Sequence, residues 1–200
     1  MTKPEEGYIK FHCNWEKMPL EKNELTDELI KYRQELYHRK LLGVLENGIG
    51  YGNVSLRIPG TDNFIITGSA TGTYSIINTD HISLVTSFDI NKNYIECCGN
   101  VKASSESMTH AAIYMSPFNL NAVIHTHHKA LWQELHGKYP TTDKNAAYGT
   151  PEMAAEIVRI IMKPGRRESV IIMGGHEDGI ITFGKNLRSA CSELFKLVGN

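Results

Sequence analysis

With 200 residues, 41% hydrophobic and 22% charged, the chain has the composition of one ordinary globular domain, large enough to bury a core without disulfide staples. Its 21 basic and 22 acidic residues nearly cancel, and no basic run is long enough to follow a phosphate backbone, so no nucleic-acid partner is expected. No stretch approaches the roughly 20 apolar residues of a membrane helix, and MTKPEEGYIKFHCNW lacks the apolar core and cleavage site of a secretory signal, so no membrane role is expected either.

Residues 1–24 are polar and weakly patterned. They are expected to be an N-terminal arm, docked on the body or on a neighbouring subunit, or else a loose tail. Residues 25–200 then form a single domain, since no repeat, linker or low-complexity tract divides them. Thr26-Asp27-Glu28 supplies a helix start, and Leu29, Leu36, Leu41 and Leu45 follow near helical spacing until Asn47-Gly48. Short strand-like runs come next, at 53–57, 64–67 and 82–85, separated by turn residues as in an antiparallel meander. Cys97 and Cys98 are read as packing at a strand end. The four cysteines (with Cys13 and Cys191) match no zinc-finger spacing, and a reducing cytoplasm is the expected setting.

A second helix is expected over 105–115, burying Met108, Ala111, Ala112 and Met115. A buried strand over 121–127 follows, then a helix from Pro151 to Met162 with Gly165 beyond its end. Two more buried strands are expected at 169–173 and 180–183. Asn186 can cap a last helix that buries Ala190, Leu194 and Leu197. Strands mixed with helices imply a layered α/β or α+β domain.

His125-Thr126-His127 is the first segment with chemistry in it. At i and i+2 of a strand two imidazoles share a face about 7 Å apart at Cα, close enough to converge on one ion with Zn–N bonds of about 2 Å. The plain alternative is two half-buried histidines bonded to backbone. His128 points to the other face and is read as structural. His176 lies at the end of a second buried strand, between glycines that permit an unusual backbone path, and so qualifies as a third ligand. Ser104-Ser105-Glu106 precedes the second helix and either holds an anion at its N-terminus or simply caps it. Gly52-Asn53-Val54-Ser55 and Ile66-Thr67-Gly68-Ser69-Ala70-Thr71-Gly72 add amides and hydroxyls, without a nucleotide-binding pattern.

Taken together, these segments resemble the class II aldolase and adducin-head family, which includes L-fuculose-phosphate aldolase and ribulose-phosphate 4-epimerase. The motifs are GNVSLR (52–57), ITGSATG (66–72), KASSESMTHAAIY (102–114), NAVIHTH (121–127), AYGTPEMA (147–154) and GHEDGIITFG (175–184), in the family's order. The resemblance implies a three-layer αβα sandwich with a largely antiparallel central sheet, and a homo-oligomer, with a tetramer favoured. It implies a substrate-phosphate cradle of Asn53, Thr67, Gly68, Ser104 and Ser105. Glu106 is the implied acid/base residue, and His125 and His127 the implied ligands of Zn2+ or another divalent metal. The third ligand is His176, which keeps three imidazoles, or Asp178, which sits six residues before Gly184 as the family's histidine does.

The implied activity is a metal-dependent lyase, cleaving a phosphorylated ketose by an aldol reaction through a zinc-stabilised enediolate. Epimerase, dehydratase and decarboxylase chemistry on the same scaffold are alternatives, as is a non-catalytic adducin-like interaction module. The segment between His127 and Tyr148 is shorter than in the sugar-phosphate aldolases, and neither Tyr139 nor Tyr148 matches their proton-donor tyrosine by motif. Arg57, Lys102 and Lys129 are candidate phosphate cations by proximity alone. His110, four residues after Glu106, is read as a half-buried histidine that either helps place Glu106 or is simply satisfied by a partner.

Overall fold

The computed structural model describes residues 7–46, 48–165 and 168–199. Strand β1 (His12–Glu16) precedes α1 (Glu24–His38) and a small hairpin of β2 (Gly43–Val44) and β3 (Gly50–Tyr51). The meander follows as β4 (Asn53–Arg57), β5 (Phe64–Thr67), β6 (Ile82–Asp89) and β7 (Tyr94–Gly99). Then come α2 (Ser107–Tyr114), β8 (Ala122–His127), α3 (Lys129–Leu135), α4 (Pro151–Ile161), β9 (Val170–Ile172), β10 (Gly179–Gly184) and α5 (Leu187–Val198).

Eight strands form one sheet in the order β1-β7-β6-β5-β4-β8-β10-β9. Every pair is antiparallel except β1 with β7. Side chains alternate across the sheet, and the alternation sorts the core into two layers. Val123, Ile181, Phe64 and Ile66 pack with Met108, Ala111, Met153 and Ile157 of α2 and α4. Ile124, Val54, Leu56 and Ile65 pack with Leu29, Leu36, Ala190 and Leu194 of α1 and α5. The fold is therefore helices on both faces of a mostly antiparallel sheet. Burial of each of the Val, Leu, Ile, Phe and Met side chains among these contributes about 1.5–3 kcal/mol.

The helix ends follow from local chemistry. Asn23, not Thr26, caps α1: its side chain accepts from Thr26 N, and Thr26 Oγ1 accepts from Asn23 N in return, a reciprocal capping box. Thr150 caps α4 ahead of Pro151, and Asn186 caps α5. The first helix ends at His38, well before the expected stop, because Lys40 turns left-handed (φ +59°) and sends Leu41 and Leu42 into the core as a loop. Leu45 lies outside the helix, and Asn47 falls outside the described residues. Met115 is 58% exposed rather than buried, since it follows the last turn of α2.

Besides the β2/β3 hairpin, three elements named above lie beyond the sequence expectations: β7, β1 and α3. Strand β7 carries Cys97 and Cys98 inside the sheet, and all four cysteines are free thiols. Strand β1 lies within the stretch read as an arm and pairs along β7, with Cys13 Sγ 3.5 Å from Cys97 Sγ. Helix α3 starts at His128, whose ring accepts from Leu131 N, which gives that histidine a capping role.

Candidate metal centre

On β8 the odd positions share the face of Val123, so His125 and His127 both point toward the α2/α4 layer. β10 pairs with β8 so that Gly179 lies opposite His127. The turn before β10 therefore returns His176 to the same spot. Its geometry is tight: Gly179 N donates to His176 O, and His176 N donates to Met173 O. One ligand-type nitrogen from each of His125, His127 and His176 lies within 4.8 Å of the other two. The Nε2 atoms of His127 and His176 are 3.1 Å apart. Two nitrogens bound tetrahedrally to zinc at about 2.0–2.1 Å would lie roughly 3.3 Å apart. Asp178, the other candidate third ligand, is not in the converging group. Its backbone is left-handed (φ +65°), and its carbonyl accepts from His128 N.

The residues suit a cation on two further grounds. His125 is fully buried, and its Nε2 has no hydrogen-bond partner among the described residues. A buried nitrogen without a partner is costly unless something binds it. Burial first, then the neighbouring rings of His127, His176 and His110, holds His125 well below the usual histidine range. It is therefore neutral near pH 7, the form that can ligate.

Glu106, just before α2, is 1% exposed and projects its carboxylate into this cluster. Oε1 lies 3.7 Å from His176 Nε2, and Oε2 accepts from Thr109 Oγ1 at 2.7 Å. Glu106 N donates to Ser104 Oγ, so the serine braces the turn that carries the carboxylate. An isolated bridge between Gly68 and Ala103 brings the Thr67-Gly68 loop beside Ser104 and Ser105. Ser69 N donating to Lys102 O extends that contact. Thr67 Oγ1 accepts from Val54 N, which ties the loop to β4 and Asn53. Buried Arg33 anchors the loop from below by donating to Thr71 O and Tyr74 O. Asn53, directly opposite His125 in the β4/β8 register, places Nδ2 3.2 Å from His125 Nδ1.

His110 meets Glu106 through the backbone, its N donating to Glu106 O, while its ring turns to Ser55. It is fully buried, and its Nδ1 is 2.7 Å from Ser55 Oγ, which in turn is 2.5 Å from Tyr114 OH. Burial pushes its pKa down to about 3. Of the candidate cations, Arg57 donates to Tyr114 O and pairs with Asp62 at the far end of β4, and Lys102 lies over the Trp15 ring. Lys129 opens α3.

Sequence reasoning missed Lys10. Its Nζ lies 3.4 Å from the Tyr148 ring centroid and donates to Tyr148 O. The Tyr148 ring in turn sits 4.6 Å from the His176 ring. Gly149 (φ +66°) makes that approach possible by folding the Tyr148 loop against Ser105 O. Tyr139 packs elsewhere, against the cluster of Leu131 and Leu135.

The sequence profile of the Class II Aldolase and Adducin N-terminal domain matches residues 27–198. The chain belongs to this family. Class II aldolases are metal-dependent, and a histidine triad of the geometry just described can bind a metal. The fold is shared with solved structures. An L-fuculose 1-phosphate aldolase superposes with a TM-score of 0.67 at 22% identity, over 90% of this chain and 83% of that one. A sugar-phosphate aldolase from Thermotoga maritima gives 0.65 at 19% identity, over 87% and 90%. The L-fuculose-1-phosphate aldolase from Thermus thermophilus gives 0.60 at 16% identity, over 86% and 88%. No curated protein matches the chain at a significant level. No helix among the described residues is long and apolar enough to cross a membrane. This member of the class II aldolase family therefore carries a metal-dependent aldolase/epimerase-type scaffold.

Proposed function

We propose that the chain is a metal-dependent lyase that cleaves a phosphorylated ketose, with zinc or another divalent cation held by His125, His127 and His176. The observation that carries this reading is the convergence of those imidazoles, within 4.8 Å of one another, beside the buried Glu106 carboxylate. Bound there, the cation supplies Lewis-acid stabilisation of negative charge on a substrate oxygen.

The protein's own residues do the rest. Glu106 transfers the proton through Oε1, which faces His176 while Oε2 accepts from the Thr109 hydroxyl. Thr109 also fixes the carboxylate rotamer, so the transferring oxygen stays on the His176 side. Ser104, Ser105, Thr67, Gly68 and Asn53 receive the substrate phosphate, since the Gly68–Ala103 bridge gathers their loops. Burial of Glu106 and His125 excludes water from the reacting atoms. Likeness to sugar-phosphate aldolases favours a phosphorylated sugar over an unphosphorylated one. Assembly into a homotetramer in the cytoplasm belongs to the same reading. Exposed Met115, Phe118 and Met162 near the ends of α2 and α4 support the assembly.

The test is turnover of zinc-loaded protein with a panel of phosphorylated ketoses, read as release of dihydroxyacetone phosphate. Cleavage of at least one is expected. Glu106→Gln should retain zinc and lower kcat by about 10²–10⁴-fold. Zinc-loaded protein that cleaves none of the panel, or a fully active Glu106→Gln, contradicts the proposal.

A further inference from the structure

His125 and Asn53 face each other across the antiparallel β4/β8 pair, so their contact is built into the sheet register. Nδ1 of the ring lies 3.2 Å from the amide Nδ2. Ring Nε2 and amide Oδ1 are both buried with no hydrogen-bond partner among the described residues. A neutral imidazole carries one N–H. With Nδ2 donating to Nδ1, the ring proton must sit on Nε2. That proton then has no acceptor, and it blocks the lone pair that a cation needs. A half-turn of the amide exchanges its oxygen and nitrogen. Oδ1 then accepts from Nδ1–H, and Nε2 carries the lone pair, with the His127 and His176 ring centroids 5.0 and 5.1 Å from that of His125. The rotation gives Oδ1 a donor and leaves Nε2 without a proton.

We propose that Asn53 is a positioning residue of the metal centre: its carbonyl oxygen holds His125 in the Nδ1–H tautomer that leaves Nε2 for the cation. This inference rests on the metal-centre reading above. It adds to Asn53 a role that acts through His125, alongside its place in the phosphate cradle. Fixing a ligating imidazole by an acceptor on its other nitrogen commonly sets metal affinity by about 10–100-fold.

Two substitutions separate acceptor from donor. In Asn53→Asp the carboxylate can accept from Nδ1–H but cannot donate; Asn53→Leu can do neither. Zinc alone is titrated against a chromophoric chelator, with no substrate present. Asn53→Asp should bind zinc within about threefold of the wild type, or more tightly. Asn53→Leu should bind about 10–100-fold more weakly. In ¹⁵N-labelled, zinc-loaded wild type and Asn53→Asp, the His125 ring should carry its proton on Nδ1. Asn53→Leu with wild-type affinity, Asn53→Asp as weak as Asn53→Leu, or an Nε2–H ring in the loaded wild type overturns the inference. Should Asn53→Leu not fold, the wild type and Asn53→Asp still decide by affinity and tautomer. A wild type that binds no zinc overturns the metal centre and this inference together. A wild type that binds zinc while both variants match it overturns this inference alone.

Discussion

The Nε2 atoms of His127 and His176 face each other at 3.1 Å although 49 positions separate the residues in the chain. The β8/β10 pairing creates this meeting by setting Gly179 opposite His127, so the turn just before β10 delivers His176 to the end of β8. Asp178, two residues on, is carried away from the cluster by its left-handed backbone. His176→Ala should therefore weaken zinc binding by about 100-fold or more, the loss expected for a ligand rather than for a residue that only supports one. Asp178→Asn should change it less than about threefold. Competition titration measures both, and the reverse ranking assigns the third ligand to Asp178.

Fold stability should respond to acid through His110. Its folded pKa is about 3, pushed down by burial, against about 6.5 in an unfolded chain. Above pH 6.5 both states are neutral at this site, and the preference for neutral His110 is fully retained. Below 6.5 the unfolded state takes up the proton while the folded state does not, so stability falls with pH until the folded pKa near 3 is passed. The slope is about 1.4 kcal/mol per pH unit for one such group. His110→Gln should reduce the slope of stability between pH 6.5 and 4.5 by about that amount. Urea melts of metal-free protein across this window measure it, and an unchanged slope would mean His110 is already charged in the fold.

Lys10 joins the N-terminal segment to the centre through Tyr148, whose ring lies against His176. Lys10→Met keeps the aliphatic stem and removes the charge over the ring. It should cost about 0.5–2 kcal/mol of stability by denaturant titration, the range for a partly buried cation–π contact. Lys10→Arg should recover most of that loss.

Gly149 sits at φ +66°, and a Cβ there would meet Ser105 O at 2.7 Å. Gly149→Ala combines left-handed strain with a backbone clash at Ser105, a residue of the proposed phosphate cradle. A loss of about 1–3 kcal/mol in thermal or chemical melts is expected. Sugar-phosphate KM should rise as well, since Ser105 is displaced. A variant with unchanged stability would show that this loop yields without cost.

The elements most legible in the sequence are the strands buried on both faces. AVIH of β8, FIIT of β5, SVIIM around β9 and IITF of β10 read as strands because apolar runs of that length have few other uses, and the ends of AVIH and SVIIM mark both histidine segments. The β1 segment HCNWE carries no such signal, since its burial alternates between exposed and half-buried positions at a sheet edge. The true cap of α1, Asn23, was readable as Asn three residues before Thr26; the acidic run after Thr26 drew the boundary inward. The site was legible in its residue types but not in its pairings. Counting from Gly184 left His176 and Asp178 unresolved, and only the β8/β10 register separates them. Lys10 against Tyr148, 138 positions apart, and Ser55 with His110 and Tyr114 arise from packing that no local pattern encodes.

The claim beneath the proposed activity is that three neutral imidazoles share one cation. Zinc K-edge X-ray absorption on protein loaded with a single equivalent of zinc tests it most directly. The expected spectrum shows directly bonded N/O scatterers at about 2.0–2.1 Å, with the longer-range scattering pattern of three imidazoles. That pattern should fall to two imidazoles in His125→Ala. A spectrum with one imidazole or none, or one unchanged by His125→Ala, contradicts the account.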